Sequence, residues 1–285
     1  MTVEKLIANI TKTWPMERIE SIEQIRQLVA QVKAKRKGFL TNFYLDEFKH
    51  SIWIGKGVLF LLRGDDTCFI IRKKELFWNV YFITTGLDDL EQGLNMLKGR
   101  TGDVELVFDV IGKKGQNDAL LGLFSRCGFV LSTTFVRMNR IPSLDDNRVV
   151  SGTVTMATVS QIREIEELLY RFFEDRIEQI PYYEELSAYA ASGHVLVCIE
   201  NDKVIGFLIF EENPSTLYLR YWFVQPNSRD KKVGSDLMNV FLERGKDVKR
   251  QLFWVRMDNE NAMVRYRHYG FKEENMYDYI MINKQ

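Results

Sequence analysis

Val224-Gln225-Pro226-Asn227-Ser228-Arg229-Asp230-Lys231-Lys232-Val233-Gly234-Ser235 joins a strand-like run, Thr216–Val224, to a helix-like run, Val233–Arg244. A strand-to-helix turn of this composition is a place to hold a diphosphate. The first N–H groups of a helix have no partner within it, and its dipole favours an anion there. Gly234 removes a Cβ from the path of the backbone toward a phosphate. Arg229, Lys231 and Lys232 bring positive charge, with Asp230 the one acid among them.

Working outward, the same half of the chain opens with a short strand at 153–156 and a helix at about 161–173. Thr158 and Gln161 have capping-box spacing, and Ile162, Ile165, Leu168, Leu169 and Phe172 form one apolar face. A second helix, about 182–192, stops at Gly193. Strand-like runs follow at 194–200 and 204–211, with Asn201-Asp202-Lys203 as their hairpin turn. Beyond the Val233–Arg244 helix comes a strand at 252–257. Asn259-Glu260-Asn261-Ala262-Met263-Val264-Arg265-Tyr266-Arg267-His268-Tyr269-Gly270-Phe271 then reads as a short helix closed by glycine.

The other half repeats this plan. Ser21 and Gln24 have the capping-box spacing, and Ile22, Ile25, Leu28, Val29 and Val32 repeat the apolar face. Strand-like runs at 58–62, 68–72 and 77–84, with Gly64-Asp65-Asp66 as a turn, precede a helix at 88–97 and a strand at 104–110. Asn117, Phe124, Gly128 and Phe129 align without gaps onto Asn259, Tyr266, Gly270 and Phe271. Between the halves, Ile141-Pro142-Ser143-Leu144-Asp145-Asp146-Asn147 reads as a linker. The expected division is residues 1–141, a linker at 142–152, and residues 153–285.

Composition narrows the function. The chain has 285 residues, and 46% of them are hydrophobic, ample for two packed cores. Lys plus Arg and Asp plus Glu are both 39, and a zero balance argues against nucleic acid as the main ligand. Cys68, Cys127 and Cys198 match no metal-ligand spacing and read as buried apolar residues of a reducing compartment. No apolar run approaches bilayer length and the start of the sequence carries no signal-peptide pattern. The expectation is a cytoplasmic protein without membrane partner or metal.

The two motifs of the C-terminal half, in this order and spacing, resemble the GNAT superfamily of acyl-CoA-dependent N-acyltransferases. Val224, Pro226, Arg229 and Gly234 match that family's pyrophosphate loop, Val-x-Pro-x-x-Arg-x-x-Gly-x-Gly. Asn259, Ala262, Tyr266, Gly270 and Phe271 match its later motif. The resemblance spans about residues 153–283. It implies an α/β (α+β) fold of two tandem GNAT-like domains, each a mixed, mostly antiparallel sheet flanked by helices. It also implies that Phe223, Val224, Arg229, Asp230, Lys231, Lys232, Val233, Gly234, Ser235 and Asn259 hold acyl-CoA, acetyl-CoA by default. A small-molecule amine would attack the thioester directly in a ternary complex. Backbone N–H near Phe223 and Val224 would meet the developing oxyanion, and Tyr266 would protonate the thiolate. The family's first loop glycine is Lys232 here, a costly residue if the position requires positive φ.

Glu211, Glu212 and Asp175 are candidates for the general base, and Tyr182, Tyr183 and Trp222 for the acceptor pocket. Each of them also reads as surface charge or core packing, and His194 and His268 read as structural. The first half keeps the plan without the chemistry. Asp88, Asp89 and Glu91 stand where the diphosphate would lie, Phe124 stands in place of Tyr266, and Lys33-Ala34-Lys35-Arg36-Lys37 reads as a solvated helix end. Two rival readings remain: a Fem-like aminoacyl transferase, disfavoured by the lack of a helical-hairpin insertion and of net basic charge, and a non-catalytic ligand-binding module.

Overall fold

A computed structural model describes residues 16–143, 148–150 and 152–283, without the side chains of Arg229 and Asp230. The chain forms two compact units. One takes residues up to 111, 115–132 and those from 279 onward; the other takes 112–114 and 133–278.

In chain order the first elements are β1 (Met16–Arg18), α1 (Ile22–Ala34), β2 (Leu40–Thr41), α2 (Glu47–Lys56), β3 (Leu59–Arg63), β4 (Thr67–Lys73), β5 (Phe77–Thr84), α3 (Leu87–Thr101), β6 (Glu105–Gly112), α4 (Asp118–Arg126) and β7 (Phe129–Arg140). Then come β8 (Val154–Met156), α5 (Ile162–Phe172), α6 (Asp175–Glu178), α7 (Tyr183–Ala191), β9 (Val195–Glu200), β10 (Lys203–Asn213), β11 (Thr216–Val224), α8 (Val233–Arg244), β12 (Arg250–Arg256), α9 (Glu260–His268) and β13 (Lys272–Asn283).

Local chemistry accounts for the starts and stops. Ser21 caps α1 in a capping box with Gln24, and Thr158 with Gln161 does the same for the turn that leads into α5. Ile25, Leu28 and Val32 of α1 are buried, as are Ile162, Ile165, Leu168 and Leu169 of α5; Phe172 is 43% exposed. The β9–β10 hairpin turns on Asn201 and Asp202, both at positive φ (50° and 58°), the backbone of a type I′ turn. Gly128 and Gly270, at φ 82° and 85°, end α4 and α9 at matching places, as the alignment of the two halves requires.

The unit of residues 133–278 has a sheet ordered β7-β12-β11-β10-β9-β8. It is antiparallel except where β11 and β12 run parallel. One core joins the sheet to α8 and α9 through Leu217, Leu219, Leu237, Phe241, Phe253 and Phe271. The other core joins the opposite face to α5 and α7 through Ile165, Leu169, Leu186, Phe207, Tyr221 and Phe223. In the other unit the order is β1-β3-β4-β5-β6-β13, and β5–β6 is the matching parallel pair. Its core packs Phe69, Val80, Phe82 and Phe108 on Leu94, Leu97, Leu123 and Phe124.

The units do not divide at 142–152. Residues 133–140 belong with the second unit, where β7 pairs with β12 from Phe135↔Arg256 to Arg140↔Gln251. Residues from 279 belong with the first, where the Asn283 side chain accepts from the Leu106 N–H (2.7 Å) and donates to the Val104 carbonyl (3.1 Å). Each half of the sequence thus lends a strand segment to the other unit. The cysteines are buried free thiols. No helix among the described residues is long and apolar enough to cross a membrane.

Candidate active site

The site forms where β11 leaves β12. Gln225 N–H donates to the Ile205 carbonyl (2.9 Å), in register with the pairs Gly206↔Val224 and Leu208↔Trp222. Antiparallel alternation then directs the backbone groups of Tyr221 and Phe223 toward β10, and those of Trp222 and Val224 away from it. On that outer side β11 pairs with β12 only at Thr216↔Arg250, Leu217↔Gln251 and Tyr218↔Leu252. Both strands continue, to Val224 and Arg256, and diverge. A register shift opposite Ile209 and Phe210, with Arg220 the extra residue, bends β11 at the start of the divergence. No described residue takes the outward N–H of Trp222 or Val224.

This geometry corrects one expectation. The Phe223 N–H is committed to the ladder with Phe207, and its ring is buried against Phe172, Phe173 and Phe207. Of the two residues expected to supply an oxyanion donor, Val224 has its N–H available, and the Trp222 N–H, which the sequence does not single out, is available beside it. Counting alternation back from Gln225 needs the register, which the sequence does not carry.

After Val224 the chain makes a 3-10 turn, Pro226–Lys231, and enters α8 through Lys232 at φ 62°, ψ 4°. The position does require the left-handed conformation, which costs a non-glycine residue roughly 1–2 kcal/mol. Asp236 N–H and the Ser235 hydroxyl both return to the Lys232 carbonyl, each at 2.9 Å. No side chain caps α8, so the N–H groups of Val233, Gly234 and Ser235 face outward unpaired among the described residues. Lys232 is exposed with no acidic partner there, whereas Lys231 is bound by the Glu200 carboxylate (2.7 and 2.8 Å). Val233 is buried in the core. A Cβ on Gly234 would lie 3.3 Å from both the Trp222 ring and Val224, so this glycine also lets α8 settle onto β11. The side chains of Arg229 and Asp230 lie outside the described residues.

Asn259 caps α9, its side chain accepting from Ala262 N–H (3.2 Å). That capping fixes the helix that carries Tyr266. The Tyr266 ring stacks on Phe253 (centroids 4.1 Å) and lies 5.5 Å from Trp222, while its hydroxyl has no hydrogen-bond partner among the described residues. Burial pushes the phenol's pKa above its ordinary value, so it stays protonated at neutral pH. Trp222 therefore belongs with Tyr266, Tyr269 and Gly234 on the α8–α9 side rather than with an acceptor pocket.

Toward α6, the Tyr221 hydroxyl donates to the carbonyls of Glu178 (2.7 Å) and Gln179 (3.2 Å). Glu178 is half-buried and accepts the Glu174 N–H (2.8 Å) without forming an ion pair among the described residues. Burial holds its carboxyl above the usual carboxylate range, and it lies close enough to Tyr266 to act on that phenol electrostatically. The neighbouring Arg256 is committed to Asp258 (2.8 Å) and lies 3.8 Å from Glu174. By contrast, Glu212 is bound to Arg244 (2.8 Å), and Glu211 accepts the Tyr189 hydroxyl (2.7 Å) beside Arg220 (3.6 Å). Asp175 begins α6. Among these carboxylates Glu178 is the one beside Tyr266 without an ion pair among the described residues, and nothing in Asp-Arg-Ile-Glu marks one acid over another in the sequence. Tyr182 caps α7 and Tyr183 lies against Arg163 (4.8 Å). His194 and His268 stack on Phe210 and Tyr269.

Residues 161–271 match the acetyltransferase (GNAT) family. No curated protein matches the sequence. Solved structures share the fold along nearly the whole chain at low identity. A GNAT-family acetyltransferase from Colwellia psychrerythraea is 10% identical with a TM-score of 0.58, covering 95% of this chain and 100% of its own. A tandem GNAT protein from the clavulanic acid biosynthesis pathway, solved without acetyl-CoA, is 11% identical with a TM-score of 0.60, over 94% and 97%. A GCN5-related N-acetyltransferase from Sphaerobacter thermophilus is 14% identical with a TM-score of 0.56, over 95% and 96%.

Proposed function

We propose, from the match of residues 161–271 to the acetyltransferase (GNAT) family, that the protein transfers an acyl group, acetyl by default, from acyl-CoA to a small primary amine. One observation carries the reading. The unpaired N–H groups of Trp222 and Val224 along the strand divergence lead directly to the uncapped start of α8. An extended arm bearing amides fits the first, and a diphosphate fits the second, with Lys232 adding charge.

In this reading Glu178 removes a proton from the incoming ammonium and the freed amine attacks the thioester carbon. The Val224 N–H donates to the oxygen as it gains charge. Collapse of the tetrahedral adduct breaks the C–S bond as Tyr266 delivers its proton to the departing sulfur, while the extra proton on the adduct's nitrogen passes to solvent and solvent reprotonates the Tyr266 phenolate. A phenol held protonated and a carboxyl whose pKa burial raises form a matched acid and base.

The test is acetyl-CoA binding by thermal shift, followed by an amine panel read through thiol release. A ligand at a hundred times its Kd adds about 2.7 kcal/mol to stability. Lys232→Ala should weaken the effect. An unchanged melting temperature at saturating acetyl-CoA overturns the proposal.

A further inference from the structure

The connection between the first two helices does opposite things in the two units. In the C-terminal unit it holds the one-turn α6, which Tyr221 ties down by the carbonyls of Glu178 and Gln179, and β11 keeps its outer edge bare beyond Tyr218. In the N-terminal unit the same connection holds β2, and β2 lies in the corresponding divergence.

The correspondence follows from register. Thr85 N–H donates to the Asp66 carbonyl (3.0 Å) as Gln225 N–H does to Ile205, so Thr84 stands where Val224 stands and Phe82 where Trp222 stands. β5 and β6 also pair at only three positions, Phe77↔Glu105 to Asn79↔Val107, before separating. Here the outer edge of β5 is filled. Leu40 pairs with Thr84 and Thr41 with Ile83. The Phe82 N–H donates to the Asn42 side-chain oxygen (2.6 Å), and the Phe82 carbonyl accepts from the Thr41 hydroxyl (2.6 Å). The Asn42 side-chain amide donates across the divergence to the Asp109 carbonyl on β6 (2.9 Å) and reaches the Val80 carbonyl (3.4 Å).

The segment is fastened at its start as well. Lys35 and Lys37 both bind the Asp66 carboxylate (3.0 and 3.2 Å) and hold it below the usual carboxylate range. Gly38, at φ 139°, passes so close to Thr85 that a Cβ would lie 2.3 Å from its carbonyl oxygen. The hollow left beside the strap, against Tyr44, Val110, Ile111, Asn117 and Leu120, measures about 40 Å³, room for a few waters.

We propose that residues 40–42 are a built-in ligand of the N-terminal unit, an intrachain stand-in for the amide-bearing arm of acyl-CoA that occupies the strand divergence for good. The comparison with acyl-CoA rests on the function proposed above; the self-occupation of the N-terminal divergence does not.

Amide hydrogen exchange on the full chain, resolved by NMR, tests it. The Phe82 amide should be protected without any ligand and unchanged by saturating acetyl-CoA. The amides of Trp222 and Val224 should exchange fast alone and become protected on adding acetyl-CoA. Asn42→Ala should speed exchange at Phe82 by about tenfold or more, the loss of a buried hydrogen bond. Thr41→Val, which keeps the shape, should loosen the same strand if the first variant fails to fold. A Phe82 amide that exchanges freely in the wild type, or that gains protection from acetyl-CoA, overturns the proposal. If acetyl-CoA alters neither Trp222 nor Val224 while Phe82 stays protected, the acyl-CoA reading fails and the self-occupied cleft stands.

Discussion

Tyr266 and Phe124 hold one position in two copies of a plan, and the difference between them is a single oxygen. Phe124 is fully buried among Phe82, Phe108 and Phe129, whereas Tyr266 is partly buried against Phe253 and Trp222, and its hydroxyl has no hydrogen-bond partner among the described residues. Tyr266→Phe should therefore leave the melting temperature and acyl-CoA affinity nearly unchanged and lower kcat by about 100-fold, the low end for general acid catalysis. Steady-state kinetics with an accepted amine decide this; a kcat within about twofold of wild type makes Tyr266 a packing residue. Glu178 makes a pH-dependent prediction. Its carboxyl is held above the usual range by burial, so the ionised base is lost as pH falls through a value higher than an ordinary glutamate's. Activity should rise with pH across that raised value, and Glu178→Gln should remove this limb while leaving the one set by the amine, near its own pKa of about 10. An unchanged limb in the variant assigns it to another group. Spacing alone picks out Val224, Gly234, Asn259 and Tyr266, and the structure sets them at the end of β11, the start of α8 and the cap and body of α9. The buried carboxyl of Glu178 and the outward N–H of Trp222 are not legible in the sequence, because one depends on which acid a loop buries and the other on ladder register.

Among the elements, the runs with clear periodicity were read nearly to the residue: β5, β11 and α8 coincide with the expected 77–84, 216–224 and 233–244. The exceptions are short. β2 spans two residues and α6 four, too little chain for apolar periodicity to register, and they are the segments that close one cleft and border the other. The basic run at 33–37 has the composition of a solvated helix end, yet Lys35 and Lys37 anchor the strap on Asp66. Gly38 is the strap's tightest point. Its φ of 139° is open to glycine almost alone, costing another residue about 1–3 kcal/mol before the clash with Thr85 is counted. Gly38→Ala should lower the melting temperature by several degrees, measured by calorimetry, with acetyl-CoA still stabilising the variant. A melting temperature equal to wild type means the strap is not seated on Thr85.

At the scale of the whole molecule, two units share a topology, and the proposed function places acyl-CoA in one of them. Titration calorimetry should give one acetyl-CoA site per chain. The sequence offered charge as the reason, since Asp88, Asp89 and Glu91 would repel a diphosphate; the occupied divergence between β5 and β6 is a second reason and acts on the arm rather than the phosphates. A stoichiometry of two defeats both. The repeat itself was legible from the alignment of Asn117, Phe124, Gly128 and Phe129 with their counterparts. The reciprocal loan of strands was not, because β7 and β13 have the same pattern whichever neighbour they join.

That loan sets an order of events during synthesis. Domains made on the ribosome generally fold as they emerge, N-terminal first, at about 5–20 residues per second. Here the Leu106 N–H meets its acceptor on Asn283, 177 residues later in the chain. The unit translated first is thus completed last, and until residues 279–283 emerge its β6 edge is left open to any passing strand. The strap has no such wait: Leu40–Asn42 meets its partners on β5 within about forty residues, so the edge of β5 is covered while the matching divergence of β11 and β12 is still being translated.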